Sequence, residues 1–386
     1  MCKYDISESV RYIGVDDRDI DLFEGQYVVP EGMSYNSYLI LDEKVAVMDT
    51  ADRRRTDAWL ANLEAALDGR KPDYLVSLHV EPDHSGSIRA FADKYPGAEI
   101  ICSIKAAGMM GQFFDCAGLK ITGVKEGDIL ALGSHALQFI MAPMVHWPEV
   151  MVAYEQREKI LFSADGFGKF GALDADEDWT CEARRYYFNI VGKYGVQVQN
   201  LLKKAAALDI RTICPLHGPI LREDLGYYIG KYRTWSSYAP EDTGVFVAYA
   251  SIHGGTAAAV ERFAEILRQK GAPKVVVSDL ARSDMAENIE DAFRYDRLVV
   301  ASPTYDGNLF PVVEDFLYHL KIKTYRSRRV GIIENGSWAP AAAKLTRAYF
   351  EEMKDVEIVE PMVSLRSTMK EVDVPALEAL ADALLK

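Results

Sequence analysis

Four side chains able to bind a metal fall within six residues at His79-Val-Glu81-Pro-Asp83-His84, directly after an apolar run that ends near Leu78. Imidazole nitrogens and carboxylate oxygens together suit divalent transition metals, and a loop at a strand end is where such donors converge. Three further candidates lie far along the chain in similar settings: His146 in Met-Val-His-Trp-Pro, Asp165 in Leu-Phe-Ser-Ala-Asp-Gly, and His217 in Cys-Pro-Leu-His-Gly-Pro. Any one histidine near a turn is more often a structural hydrogen-bonding residue than a ligand. The seven positions together hold four of the chain's seven histidines, and the balance reverses.

A second kind of chemistry is written in the last third. Ser251-Ile252-His253-Gly254-Gly255-Thr256, between an apolar strand and a helical stretch, offers backbone N–H groups, two hydroxyls and a helix N-terminus to one phosphate. It lacks the lysine of a nucleotide-triphosphate loop, and no G-x-G-x-x-G pattern points to a dinucleotide. Two more loops follow later strands: Ser302-Pro303-Thr304-Tyr305-Asp306-Gly307-Asn308 and Asn335-Gly336-Ser337-Trp338. Loops at the carboxyl ends of parallel strands are where a doubly wound sheet binds its ligand. Tyr305 and Trp338 supply flat faces for stacking, and the small, polar neighbours let the backbone approach a planar ring.

The elements that position these loops follow from periodicity. Strands are expected over 26–29, 37–41, 45–48, 74–78, 100–102 and 137–141, with a helix over 58–67. The polar stretch 236–244, containing Pro and Gly, marks a change of rhythm and the expected boundary. Beyond it, strands at 245–250, 275–280, 298–301 and 330–333 alternate with helical stretches such as 257–269, the pattern of βαβ units and a parallel sheet.

Bulk properties narrow the field. At 386 residues, with 49% hydrophobic and 26% charged side chains, two ordinary globular domains are expected. A net charge of -14, with basic residues scattered among more numerous acids, argues against nucleic acid; Arg53 to Arg55 reads as solvated helix face. No apolar run approaches the roughly 20 residues needed to cross a bilayer, and Met-Cys-Lys-Tyr-Asp has no apolar signal core, so a cytoplasmic protein without membrane contact is expected. Cys2, Cys102, Cys116, Cys181 and Cys214 form no C-x-x-C pair, which disfavours disulfides, an all-thiolate metal site and a fused rubredoxin-like module.

The first-half spacing resembles the metallo-β-lactamase fold, whose hydrolases carry H-x-H-x-D-H and then His, Asp and His. Glu81 stands where those enzymes have their second histidine. A carboxylate there makes the site harder and more anionic, which favours iron over zinc, and Asp165 has two oxygens with which to bridge two metals. The H-x-E-x-D-H form, with His-Trp-Pro and the later Asp and His, resembles the flavodiiron family over essentially the whole chain. That resemblance implies an α/β protein: a metallo-β-lactamase-like αββα sandwich over residues 1–242 and a flavodoxin-like doubly wound parallel sheet over 243–386. It implies two iron ions, one on His79, Glu81 and His146, the other on Asp83, His217 and His84, with Asp165 between them. In the family the position of His84 either binds or swings away and leaves water. Trp147 and Tyr194 match family positions behind the ligands, or are aromatics packed in a core. The three second-half loops match those that hold FMN in flavodoxins, with His253 either beside the phosphate or flavin or facing solvent.

The implied activity passes electrons from FMN to the irons, where O2 is reduced to water or NO to N2O. Rubredoxin, another electron donor or a reduced deazaflavin coenzyme feeds a head-to-tail homodimer or homotetramer. Two readings from other classes stand beside it. A zinc hydrolase with an attached flavodoxin is opposed by Glu81, and a plain electron carrier with a structural first half is opposed by the complete ligand set.

Overall fold

The structure is a computed structural model that describes residues 3–386; Cys2 lies outside the described residues. The chain divides into two compact units, one reaching to Tyr187 and including 196–233, the other made of 188–195 and 234–386.

The first unit holds two sheets. The six-stranded sheet runs Val10–Tyr12, Tyr38–Leu41, Val45–Met48, Tyr74–Ser77, Glu99–Ser103, Ile121–Val124. Its hairpin, with Leu39 opposite Val47, is antiparallel; from Val47 opposite Leu75 onward the pairing is parallel. That switch needs a crossover, which the helix Thr56–Leu67 provides by burying Trp59, Leu63 and Leu67 along one face. The five-stranded sheet runs Ile129–Ala131, Ala136–Met141, Met151–Glu155, Ile160–Phe162, Thr212–Cys214. Every residue of its last three strands is buried, as in sheets covered on both faces. Two sheets with helices outside them make the αββα sandwich.

This topology brings the ligand loops to one end. Phe162 and Cys214 pair in parallel register, so the loops carrying Asp165 and His217 leave neighbouring strands side by side. The antiparallel pairing of Met141 with Met151 and of Ala153 with Phe162 turns the His146 loop to the same end. A hydrogen bond from Met151 N to Leu78 O at 3.1 Å ties it to the strand that precedes His79.

In the second unit the parallel strands run Val275–Asp279, Asp242–Tyr249, Tyr295–Tyr305, Arg329–Asn335, with Glu357–Ile358 and Val363–Leu365 both beside the last. In sequence rank this is the 2-1-3-4-5 order of flavodoxin-like sheets. Val247, Val299 and Ile333 pack with Phe263, Leu267 and Leu380 from the covering helices Gly255–Gln269 and Val374–Leu385. The strand expected over 298–301 runs instead from Tyr295 to Tyr305, because Ser302 and Pro303 still pair with Glu334 and Asn335 despite their polarity. The segment 188–195 belongs to this unit through specific contacts. Phe188 stacks on Phe293 at 4.4 Å, Asn189 Nδ2 donates to Ala286 O at 3.1 Å, and Lys323 Nζ donates to Asn189 O at 2.5 Å.

Candidate metal and flavin sites

All seven expected metal ligands lie in the first unit and converge. His79 and Glu81 follow the strand Tyr74–Ser77; Asp83 and His84 ride the short helix Pro82–Ser85, with proline at its first turn. Two groups form. His79, Glu81, His146 and Asp165 bring one donor atom each within 4.8 Å of one another, and Asp83, His84 and His217 do the same. Glu81 Oε2 is 3.1 Å from His79 Nε2 and 3.0 Å from His146 Nε2. Asp83 Oδ2 is 3.2 Å from both His84 Nε2 and His217 Nε2. Asp165 stands between: its Oδ2 is 3.1 Å from His146, its Oδ1 3.1 Å from His84.

Such an arrangement is costly without a cation. Among the described residues, both carboxylate oxygens of Asp83 and Asp165, and Nε2 of His84, His146 and His217, are buried with no hydrogen-bond partner. Orphaned buried polar atoms turned toward one space are what a metal-binding cluster presents when considered as protein alone. Three carboxylates and four imidazoles fit two divalent ions of the iron class. Burial opposes the charge on Glu81, but its close approach to His146 and His79 outweighs it and brings the carboxyl down to about 2. Asp165 is likewise held well below its ordinary value, against burial, by His84 and His79. In return, and again against burial, Asp83 and Asp165 lift His84 to about 8, while Asp165 and Glu81 lift His146 to about 9.

The supports behind the ligands came from positions that sequence reasoning missed. Glu149, 1% exposed, accepts from His79 Nδ1 at 2.6 Å and from Val80 N at 3.1 Å with the same oxygen, which aims the opposite ring nitrogen into the cluster. His217 Nδ1 donates to Ser34 O at 2.6 Å to the same end. Asp49, after the strand Val45–Met48, accepts from Leu78 N at 2.7 Å and fastens the start of the His79 loop. Carboxylates that orient a metal-binding imidazole typically contribute about 10- to 100-fold in affinity. Glu149→Gln is therefore expected to weaken iron binding by about that factor, read by chelator competition, with the fold intact by circular dichroism.

Trp147 packs edge-on to His79 at 5.2 Å and stacks with Phe113 at 6.1 Å, forming a wall beside the first group. Tyr194 belongs to the second unit, in a short 3-10 turn, and its ring meets Lys193. The tyrosine against the ligands is Tyr186, 5.7 Å from His217 at the end of the helix Trp179–Tyr186. Burial and the carboxylates of Asp165, Asp83 and Glu81 push its phenol well above the ordinary range. The signal that could have found it is helical: a buried aromatic at the last turn of a helix beginning at an Asp178 cap.

In the second unit a cavity of about 540 Å³ gathers Ser251, Ile252, His253, Gly255 and Thr256, the loop 303–307, and 335–338. Gly254, at φ 86°, makes the turn into the helix Gly255–Gln269 rather than lining the cavity. Ser251 Oγ accepts from Gly254 N at 3.1 Å and Ala257 N at 3.3 Å, holding the loop in a phosphate-cradling shape. Ser302 stays in the sheet, and Asn308 folds back in the short strand Asn308–Leu309, so neither lines the cavity. Ser367 and Thr368 complete the lining and were missed by sequence reasoning. Asn335 recruits them: its Nδ2 donates to Ser367 O at 2.7 Å and its Oδ1 accepts from Ser367 N at 2.8 Å. Trp338 is 89% exposed and Tyr305 44%, which leaves their faces free for a planar ring. The cavity, the phosphate-type loop and the open aromatics fit a mononucleotide flavin.

Known proteins of similar sequence and shape agree with this geometry. The ODP family beta lactamase profile matches residues 33–218. The nitric oxide reductase of Moorella thermoacetica is 30% identical over 370 residues, covering 92% of this chain and 91% of that one. Rubredoxin oxygen:oxidoreductase from the anaerobe Desulfovibrio gigas superposes with a TM-score of 0.91 at 25% identity, over 98% of this chain and 96% of that one. The flavodiiron protein from Giardia intestinalis does so with 0.91 at 26% identity, over 98% and 95%. With two donor groups around Asp165 in one unit and a flavin-type cavity in the other, this chain belongs to the flavodiiron protein family of oxidoreductases.

Proposed function

We propose that this protein uses electrons delivered through FMN to reduce O2 to water, NO to N2O, or both, at two irons, and that it works in the cytoplasm. The observation that carries the reading is Asp165, whose two oxygens face separate groups of His and carboxylate donors in one buried pocket. His79, Glu81 and His146 would hold one iron, Asp83, His84 and His217 the other, and Asp165 would serve both. When bound, the irons supply open positions for a small gas, and FMN supplies electrons singly or in pairs. The chain's own residues do the rest. Glu149 and Ser34 fix the rings of His79 and His217, and Trp147 with Phe113 walls the pocket. Ser251, Thr256 and the N-terminus of the helix Gly255–Gln269 would bind the flavin phosphate, and Tyr305 and Trp338 would flank its ring.

In this reading residues 1–242 carry the irons and 243–386 the flavin, and a head-to-tail homodimer or homotetramer lets the FMN of one subunit serve the irons of another. Rubredoxin or another small carrier supplies the electrons; the likeness to a rubredoxin oxygen:oxidoreductase supports the first choice. Among the described residues no helix is long and apolar enough to cross a membrane. Cys102, Cys116 and Cys214 are free thiols, in keeping with a reducing compartment. Anaerobic turnover of the iron- and FMN-loaded protein with each gas tests the reading.

A further inference from the structure

A short hairpin outside both main sheets of the first unit lies against the second donor group. Its strands, Leu22–Phe23 and Tyr27–Val28, pair with each other and with no other strand among the described residues. Alternation turns Leu22 and Val28 outward and buries Phe23 and Tyr27. Phe23 packs edge-on to His217 at 5.4 Å and lies 5.9 Å from Phe170. Tyr27 is 5.6 Å from Phe170, Phe170 meets Tyr186 at 5.2 Å, and Tyr186 closes the circle at 5.7 Å from His217. A hairpin of two residue pairs is marginal by itself. What fastens it is Arg185, next to Tyr186 in the helix Trp179–Tyr186. The guanidinium is buried, its Cζ 4.4 Å from the Phe170 ring centroid, and Nη1 and Nη2 each donate to Val28 O at 3.1 Å. Glu182 Oε2 holds the other edge, accepting from Nε at 3.1 Å and Nη2 at 2.8 Å. An ion pair three residues apart on a helix forms as readily in solvent. Burying this one costs free energy, which the Val28 carbonyl and the Phe170 face offset.

We propose that Arg185 is a positioning residue for the second metal: it latches the hairpin 22–28 so that Phe23 covers the His217 side of the group formed by Asp83, His84 and His217, and the metal held there is retained. The inference rests on the two-iron reading above. The two donor groups are covered by different elements. Trp147, with Phe113 behind it, stands beside His79 and His146, whereas the hairpin and its aromatic partners stand beside His217. Local opening is how solvent reaches a buried site in a folded protein, and a hairpin this short opens unless it is held. Release of the latch therefore admits water to one donor group and leaves the other closed. Arginine suits the task because its planar fork offers two N–H groups to one carbonyl while its face stacks on a ring. Lysine keeps the charge without that geometry.

The test uses the full-length protein loaded anaerobically with iron and compares wild type with Arg185→Met, Arg185→Lys and Phe23→Ala. Two readouts are independent of turnover: the rate at which a glutamate-specific protease cuts at Glu24, exposed in the hairpin turn, and the rate at which ferrozine strips iron. Arg185→Met removes charged hydrogen bonds, so hairpin cleavage is expected to rise by about 10- to 100-fold. One of the two irons should leave faster by a similar factor, and the other at the wild-type rate. Arg185→Lys should fall between wild type and Arg185→Met, and Phe23→Ala, with the latch in place, should speed release of the same iron. In a His217→Ala background, which lacks the covered imidazole, Arg185→Met should leave release of the remaining iron unchanged. Unchanged cleavage in Arg185→Met, equal acceleration for both irons, or an effect that persists in His217→Ala overturns the latch alone. If Arg185→Met does not fold, Arg185→Lys and Phe23→Ala decide the question by the same two rates. A wild type that binds fewer than two irons overturns the two-iron reading and the latch with it.

Discussion

Replacing Asp165 with asparagine is expected to lower turnover by about 100-fold or more and to leave the protein short of iron, since even residues that only orient a ligand contribute 10- to 100-fold. Asparagine keeps the size of the side chain, so the change is chemical. One oxygen, facing either His146 or His84, becomes an NH2 group that donates hydrogen bonds and does not bind a metal. The site also loses a negative charge in a fully buried place where four imidazoles surround three carboxylates. Iron per chain, measured after anaerobic reconstitution and desalting, should fall to one or below, with the far-ultraviolet dichroism of the wild type. Two irons and full turnover in Asp165→Asn would mean that the two donor groups do not share this carboxylate.

Gly255→Val is expected to strip the flavin and spare the iron. A Cβ at Gly255 would lie 2.4 Å from Ser367 O and 3.4 Å from Asn335 Nδ2, so a branched side chain must displace the backbone of the Ser367 loop. That loop is not free to yield, because Asn335 grips both its N–H and its carbonyl while also reaching Thr256 Oγ1 at 3.3 Å. Forcing extra carbons into a packed site costs about 1–3 kcal/mol. At 1.4 kcal/mol per factor of ten, FMN affinity should fall by about 10- to 100-fold. Flavin retained through gel filtration measures it. Because every metal ligand belongs to the first unit, iron content should match wild type; unchanged flavin stoichiometry would show that this close approach does not shape the cavity.

The metal ligands were legible because a motif with chemical meaning was dense: six residues hold four of the seven. The remaining three each sit just past an apolar run, and the structure brings all of them to one end of the sandwich. Glu149 was not legible. An acid after His-Trp-Pro reads as a solvated charge, and its role appears only through a 2.6 Å contact with a residue 70 positions earlier. Tyr194 was matched to a position behind the ligands by resemblance, with a packed core aromatic as the alternative; the turn that follows Tyr186 carries Phe188 and its successors, Tyr194 among them, into the second unit. In the flavin half the strand cores were clear from apolar runs, while their polar ends were not, since backbone pairing carries Ser302 and Asn335 into the sheet. Ser367 gave no signal because an asparagine 32 residues earlier positions it.

The most direct test is anaerobic turnover of protein loaded with two irons and one FMN, given reduced rubredoxin, with O2 and NO added in separate runs and followed by their own electrodes. The account predicts rapid consumption of at least one gas, with two electrons used per N2O formed or four per O2 consumed, and loss of that activity in Asp165→Asn. Rubredoxin that reduces the bound FMN while neither gas is consumed would contradict it.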